Sequence, residues 1–246
     1  ILWLYTRQHP QTAMQDTWIR TRSWWWMFAF FASAVLLGKP IIWIFFGLLS
    51  FIALKEFLSI IPIRRTDRRT LLWAYLTIPI HYYLIADQWY GLWIIFIPIY
   101  VFIFLPVRLI FTGHTVQFLQ AVATLQWGVM TTVYLLSHSV ALLNLSATQG
   151  VPMLLALVLL TEANDIGQYL AGRLFGRHPL APSISPNKTW QGLIGGVFTT
   201  LCLGLLCSPL LPTHNLWHAA CLGACLAIMG VFGDLTMSAL KRDIGI

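Results

Sequence analysis

Residues 92–110 read LWIIFIPIYVFIFLPVRLI, nineteen positions with a single charge at Arg108. A helix that crosses a bilayer needs about 20 mostly apolar residues, whereas a membrane strand alternates apolar and polar positions over about ten. This run does not alternate and is too long for a strand, so it reads as a helix surrounded by lipid. Inside lipid each backbone N–H and C=O must find its partner within the segment, which a helix alone achieves. Working outward, similar runs occupy residues 24–37, 41–58, 71–86, 118–136, 151–161, 193–211 and 216–232. The pattern predicts an all-α, polytopic transmembrane helical bundle of about eight spans, forming one integral membrane domain over residues 1–246.

Composition leads to the same class. Of the 246 residues, 58% are apolar and 9% charged, against about 25% charged in an ordinary soluble domain. Mean hydropathy is +0.75. These values exclude a soluble globular domain. Cys202, Cys207, Cys221 and Cys225 all lie in apolar runs without CxxC spacing, so they read as buried packing residues rather than zinc ligands or a disulfide framework.

A net charge of +7 in a membrane protein points to anionic lipid and cytoplasm rather than nucleic acid. With alternating loops, every Lys and Arg except Lys39 falls on the same face, including Arg64, Arg65, Arg68, Arg69, Arg173, Lys188 and Lys241. The positive-inside rule makes that face cytoplasmic. Tryptophans flank the runs at Trp24, Trp25, Trp26, Trp73, Trp89, Trp93 and Trp217, as expected of rings seated at headgroup depth.

Three polar stretches interrupt the apolar pattern. Glu162 and Asp165, beside Asn164, follow the run 151–160 and share a helical face, and a carboxylate within a span costs about 2.5–3.5 kcal/mol on insertion scales. Such residues serve a cation, a proton or a substrate, or simply emerge at the interface. Ser185-Pro186-Asn187-Lys188-Thr189-Trp190-Gln191-Gly192 reads as a helix start, with Ser185 as N-cap and Pro186 at the first helical position. Its free amides, Lys188 and the hydroxyls of Ser185 and Thr189 would suit a phosphate; an ordinary capped helix with a snorkelling lysine is the other reading. Gly192, Gly195 and Gly196 then favour close helix packing. Finally, Asp234, Ser238 and Lys241 share one face at the end of the last run, with Arg242 adjacent, placing a metal-seeking carboxylate beside phosphate-seeking cations. Together the three stretches describe a pocket for a magnesium-bound nucleotide.

Other signals are weaker. His214 and His218 are four apart but lie opposite the basic loops without an acidic third ligand. Arg64 to Arg69 could hold anionic headgroups, although topology already explains their charge. Asn144-Leu145-Ser146 matches a glycosylation acceptor by a pattern that recurs by chance.

Residues 165–173, Phe175-Gly176, Leu180-Ala181-Pro182, Ser185 to Gly192 and Ile194-Gly195-Gly196 resemble, in order and spacing, the phosphatidate cytidylyltransferases. Gly233-Asp234-Leu235, Ser238 and Lys241-Arg242 resemble the start of that family's C-terminal signature. The resemblance covers about residues 160–246. It implies a dimeric membrane enzyme in which magnesium, with or without potassium, helps phosphatidate attack the α-phosphate of CTP, giving CDP-diacylglycerol and pyrophosphate. It also implies Asp234 as metal ligand, Lys188, Lys241 and Arg242 as catalytic charge-neutralising groups, and Asn164, Asp165, Ser185, Thr189 and Ser238 as substrate-binding residues.

The chain departs from the family at Met237, where a glutamate is usual, and at Gln168, where an alanine is usual. The family also continues beyond its matching part with further motifs, a carboxylate for the metal and another span. The sequence, opening on Ile1 and closing at Ile246, is therefore expected to be an inactive piece of a longer enzyme. Two other functions fit these features. One is cytidylyl transfer to another lipid phosphate. The other is a non-catalytic lipid-binding or transport relative using Glu162, Asp165 and Asp234 for an ion, although no inverted repeat supports transport.

Overall fold

The computed structural model describes residues 10–61, 68–113, 116–211 and 215–245. Arg64, Arg65, Asp67 and His214 lie outside the described residues. Among those described, the chain forms eight helices and one two-stranded hairpin: α1 (Pro10–Leu37), α2 (Lys39–Ile60), α3 (Arg68–Ala86), α4 (Tyr90–Ile110), α5 (Phe118–Leu145), α6 (Gly150–Phe175), β1 (Pro179–Ala181), β2 (Ser185–Thr189), α7 (Trp190–Leu206) and α8 (Leu216–Asp243). The expected all-α membrane bundle is what the chain builds. Helices α2, α4, α5, α6 and α8 are long and apolar enough to cross a membrane by themselves. In α1 the apolar part is Trp25–Leu37, and α7 is likewise shorter.

Local chemistry sets the breaks. Gly38, at φ 98, turns the chain between α1 and α2 in a conformation that a β-carbon would strain, and Pro40 follows in the first turn of α2. Asn215 caps α8 by accepting from the Trp217 amide at 2.8 Å. Two helices widen into π turns, α4 over Phe96–Val101 and α5 over Met130–Leu135; the first contains Pro98, which lacks an N–H to donate.

The first five helices share one apolar core, in which Ile42, Leu54, Leu105, Val133, Val140 and Leu143 are fully buried. Buried polar contacts stitch it together. Ser50 and Tyr82 hydroxyls meet at 2.9 Å, and His81 Nε2 meets Ser137 Oγ at 2.8 Å. Trp93, expected at the interface, is 5% exposed and packs its ring 4.8 Å from His138. Asn144 also points inward, donating to the Ile85 carbonyl at 2.7 Å. Its side-chain amide thus ties α5 to α3.

Helices α6, α7 and α8 form a second packed group joined through small residues. A β-carbon on Gly195 would fall 2.1 Å from Ala171 Cβ, and one on Gly196 would fall 2.5 Å from Gln168 Cγ. Across the other seam, a β-carbon on Gly223 would meet the Thr200 carbonyl at 2.4 Å. These seams bear out the close-packing reading of the α7 glycines. Helix α8 buries Ala219, Gly223, Ala227 and Val231 at four-residue spacing. That stripe turns Cys221 and Cys225 outward, so of the cysteines only Cys207 is buried, against the expectation for all of them.

Candidate functional site

The hairpin β1–β2 lies between the last turn of α6 and the first turn of α7. Its strands pair antiparallel, Pro179 opposite Thr189 and Ala181 opposite Ser185. This corrects the expected helix start at Ser185. Serine followed by proline favours an extended backbone as readily as a capped helix, and a partner strand four residues upstream settles it. Helix α7 begins at Trp190 instead, with Thr189 as its cap, and the Thr189 hydroxyl accepts from the Gly192 amide at 3.1 Å.

Two of the first three amides, those of Trp190 and Gly192, are already engaged. Trp190 N–H donates to the His178 carbonyl at 3.0 Å, and the Gln191 side chain reaches back to accept from the amides of Arg177 and His178 at 3.1 and 3.3 Å. Gln191 Nε2 also meets His178 Nδ1 at 2.9 Å. The helix terminus therefore locks the hairpin in place. Gln191 was quoted in the sequence motif without a role; its contacts span a hairpin whose existence local spacing does not reveal.

With the hairpin fixed, Lys188 extends from β2 to α8 and forms an ion pair with Asp234. The partners differ in setting: the lysine side chain is 18% exposed and the aspartate 62%. Asp165, on α6, lies within electrostatic range of both. Arg242 Nε, one turn beyond Ser238, donates to the Ile184 carbonyl in the hairpin turn at 3.4 Å. Lys241 is exposed beside it, while Ser238 and Ser185 are half-buried. Three separate sequence stretches thus meet at one end of the bundle.

Asn164 does something different from lining a pocket. It is 2% exposed, its Nδ2 points to the Ala227 carbonyl at 3.5 Å, and its Oδ1 has no partner. A β-carbon on Gly196 or Gly230 would press on its amide at 2.6 or 2.9 Å. Asn164 therefore ties α6 to α7 and α8 beneath the site. Glu162, on the same helix, is exposed. Arg173, in the last turn of α6, donates from Nη1 to the Tyr169 hydroxyl at 2.5 Å, and its guanidinium lies 5.8 Å from that ring. The four-residue spacing of Tyr169 and Arg173 is the signal that would have found the pair.

Chemically, the site combines a buried ammonium, two carboxylates and a rim of guanidinium and ammonium groups. Among the described residues no group of three or more His, Cys, Asp or Glu side chains could enclose a metal by itself. Magnesium seldom needs such a cage, since it binds through one or two carboxylates plus substrate phosphate oxygens and water. Asp234 and Asp165 fit that donor set. Met237, where the resembled family has glutamate, is exposed, and Gln168 packs against Gly196 in the α6–α7 seam.

Comparison with known proteins shows the family. The model of the cytidylyltransferase family matches residues 18–246. The chain is 37% identical over 240 residues to a protein called uncharacterized protein YnbB of Escherichia coli, covering 96% of this chain and 79% of that one. It is also 37% identical over 108 residues to a phosphatidate cytidylyltransferase of Mycobacterium leprae, and 37% over 102 residues to one of Haemophilus influenzae. The last two matches cover 44% and 39% of this chain and 35% of each relative. With its matching segments folded into one bundle, this chain belongs to the cytidylyltransferase family.

Proposed function

We propose that this chain carries the nucleotide-handling core of a phosphatidate cytidylyltransferase, which transfers CMP from CTP to phosphatidate and releases pyrophosphate. The observation that supports it best is the meeting of Lys188, Asp234 and Asp165, from β2, α8 and α6, at the end of the bundle that also carries Lys241 and Arg242. A phosphatidate oxygen attacks the α-phosphorus of CTP; the bond from that phosphorus to the bridging oxygen breaks, and its electron pair leaves with pyrophosphate. Nucleotidyl transfer asks a protein mainly to position phosphates and offset their charge.

Each residue has a part in that task. Lys188 releases Asp234 and turns its ammonium to the triphosphate, while Lys241 and Arg242 offset charge on the leaving pyrophosphate. Thr189, Ser185 and Ser238 border the place where the nucleotide would lie. Asp234, with Asp165, would hold magnesium, which supplies charge neutralisation at the α-phosphate. The one-sided distribution of the basic loops supports a cytoplasmic setting for this end of the bundle, at the inner membrane, where CTP is available. The working form would be a homodimer, with potassium as a second cation to be varied in the assay.

The test is conversion of labelled CTP and phosphatidate to CDP-diacylglycerol by the full-length protein in liposomes, beside an Asp234→Ala variant. Magnesium-dependent product that disappears in the variant supports the reading. CTP binding without product sends the search to other lipid phosphates, and absence of CTP binding overturns the enzymatic reading.

A further inference from the structure

The side chain of Gln191 is oriented by two backbone groups. Its Oε1 accepts from the neighbouring amides of Arg177 and His178 at 3.1 and 3.3 Å. Backbone N–H groups can only donate, so turning the side-chain amide over would set its Nε2 hydrogens against theirs. Nε2 is therefore the group that meets His178 Nδ1 at 2.9 Å, and it too can only donate. It follows that Nδ1 accepts: His178 carries its hydrogen on Nε2, and the ring is uncharged. An imidazolium has an N–H at both ring positions and would set one hydrogen against another at this contact. The ring is exposed, so solvent can deliver that proton in the pH range where histidines titrate.

What this contact holds is the hairpin that carries Lys188. The Trp190 amide donates to the His178 carbonyl at 3.0 Å, so His178 is tied to the first turn of α7 by both its backbone and its ring. Pro179, next in the chain, pairs with Thr189, which follows Lys188. On the α6 side, a β-carbon on Gly176 would lie 3.0 Å from the Thr189 side chain, which leaves the hairpin little slack. Among the described residues no carboxylate pairs with His178. The charged groups on the elements packed around the hairpin are mostly cations: Arg177 beside His178, Arg173 at the end of α6, Lys188 on β2, and Lys241 and Arg242 at the end of α8. Helix α7 carries no charged residue. Of the carboxylates on α6 and α8, Asp165 and Asp234 lie by Lys188, and Glu162 and Asp243 are exposed.

We propose that Gln191 and His178 are a positioning pair for cytidylyl transfer: while His178 is uncharged they hold the hairpin so that Lys188 reaches the Asp234 site, and protonation of His178 loosens that hold. The part in transfer rests on the function proposed above; the hold on the hairpin does not. The hold is complete at high pH and is lost as pH falls and the ring gains its second hydrogen. Two substitutions separate the hydrogen bond from the charge. In Gln191→Glu one carboxylate oxygen keeps the two amides and the other accepts from Nδ1–H of an imidazolium, so the hold survives protonation. His178→Asn supplies a side-chain oxygen that accepts from Gln191 and does not titrate.

The test uses the full-length protein in liposomes. At about pH 5.5, where histidines are mostly charged, amide hydrogen exchange over residues 177–189 should be about three- to tenfold faster in the unaltered protein than in Gln191→Glu or His178→Asn, the range for one lost hydrogen bond. At about pH 8 the three should exchange alike. The rate of CDP-diacylglycerol formation at the lower pH, relative to that at the higher, should be about three- to tenfold smaller in the unaltered protein than in either variant. Nitrogen NMR spectra of the unaltered protein at the higher pH should show the hydrogen of His178 on Nε2. A hydrogen on Nδ1 instead would overturn the hold on the hairpin whether or not the variants fold, as would equal exchange in all three proteins at the lower pH. Exchange as expected, with the same ratio of rates in all three, overturns the part in transfer. Exchange as expected with no product from any of them overturns the enzymatic reading of the Asp234 site, and the part in transfer with it, while bearing out the hold.

Discussion

Lys188 on β2 forms an ion pair with Asp234 on α8, across the whole length of α7 in the sequence. The lysine is the more enclosed partner, and its ammonium is out of reach of water. A buried cation whose partner is removed keeps its desolvation cost without compensation. On the proposed function, phosphates would replace Asp234 as the partner of Lys188, and a metal would replace Lys188 as the partner of Asp234.

Substitution at either end tests that exchange. Asp234→Asn and Lys188→Met should each reduce CDP-diacylglycerol formation by about 100-fold or more, the order expected when a charge-stabilising group is lost. The double variant should lose less than the product of the single losses, because the two groups act as one unit. Turnover of labelled CTP by the full-length protein in liposomes measures all three.

Metal dependence follows from the two carboxylates. Removing divalent cations with EDTA should abolish turnover, and magnesium should restore it. Asp165→Asn should raise the magnesium concentration needed for half-maximal rate about tenfold or more. An unchanged magnesium requirement in that variant would remove Asp165 from the metal site.

The α6–α7 seam makes a prediction about stability alone. Gly195→Ala puts a methyl group where Ala171 already sits, and overpacking of this kind costs about 1–3 kcal/mol. Gly233→Ala, with nothing within 4 Å of the new carbon, should leave thermal unfolding in detergent nearly unchanged. Equal unfolding temperatures for the two variants would contradict the close seam.

Thr189 distinguishes the observed helix start from the one expected at Ser185. Thr189→Val keeps the shape but removes the cap acceptor, and should destabilise the fold by about 1 kcal/mol. Thr189→Ser should restore most of that loss. Ser185→Ala should have little effect on stability, since Ser185 sits in a strand. Thermal unfolding of the three variants, side by side, decides between the positions.

Much of the fold was legible along the chain because the length of an apolar run is a local property. Residues 92–110 can satisfy their backbone in lipid only as a helix, and every expected run lies within one of the eight helices except 193–211, whose end runs past the close of α7 at Leu206. The polar breaks at 161–165, 185–192 and 233–243 were legible for the same reason, since a charge is conspicuous where lipid is the solvent. The facing of individual side chains was not. In a membrane the lipid side and the packed side of a helix are both apolar, so periodicity loses its power to separate them. Trp93 could turn inward and Cys221 outward without any mark in the local pattern.

The sequence by itself determined a helical membrane protein whose apolar runs are interrupted by three polar segments, because segment length, charge and the cost of burial in lipid are properties of short stretches. Which groups touch was decided by long-range packing. Ser185-Pro186 became strand rather than helix because Pro179–Ala181 pairs with it, and Lys188 met Asp234 because glycine seams draw α6, α7 and α8 together. Such contacts join residues far apart in the chain, and their free energy arises only when several helices have already met.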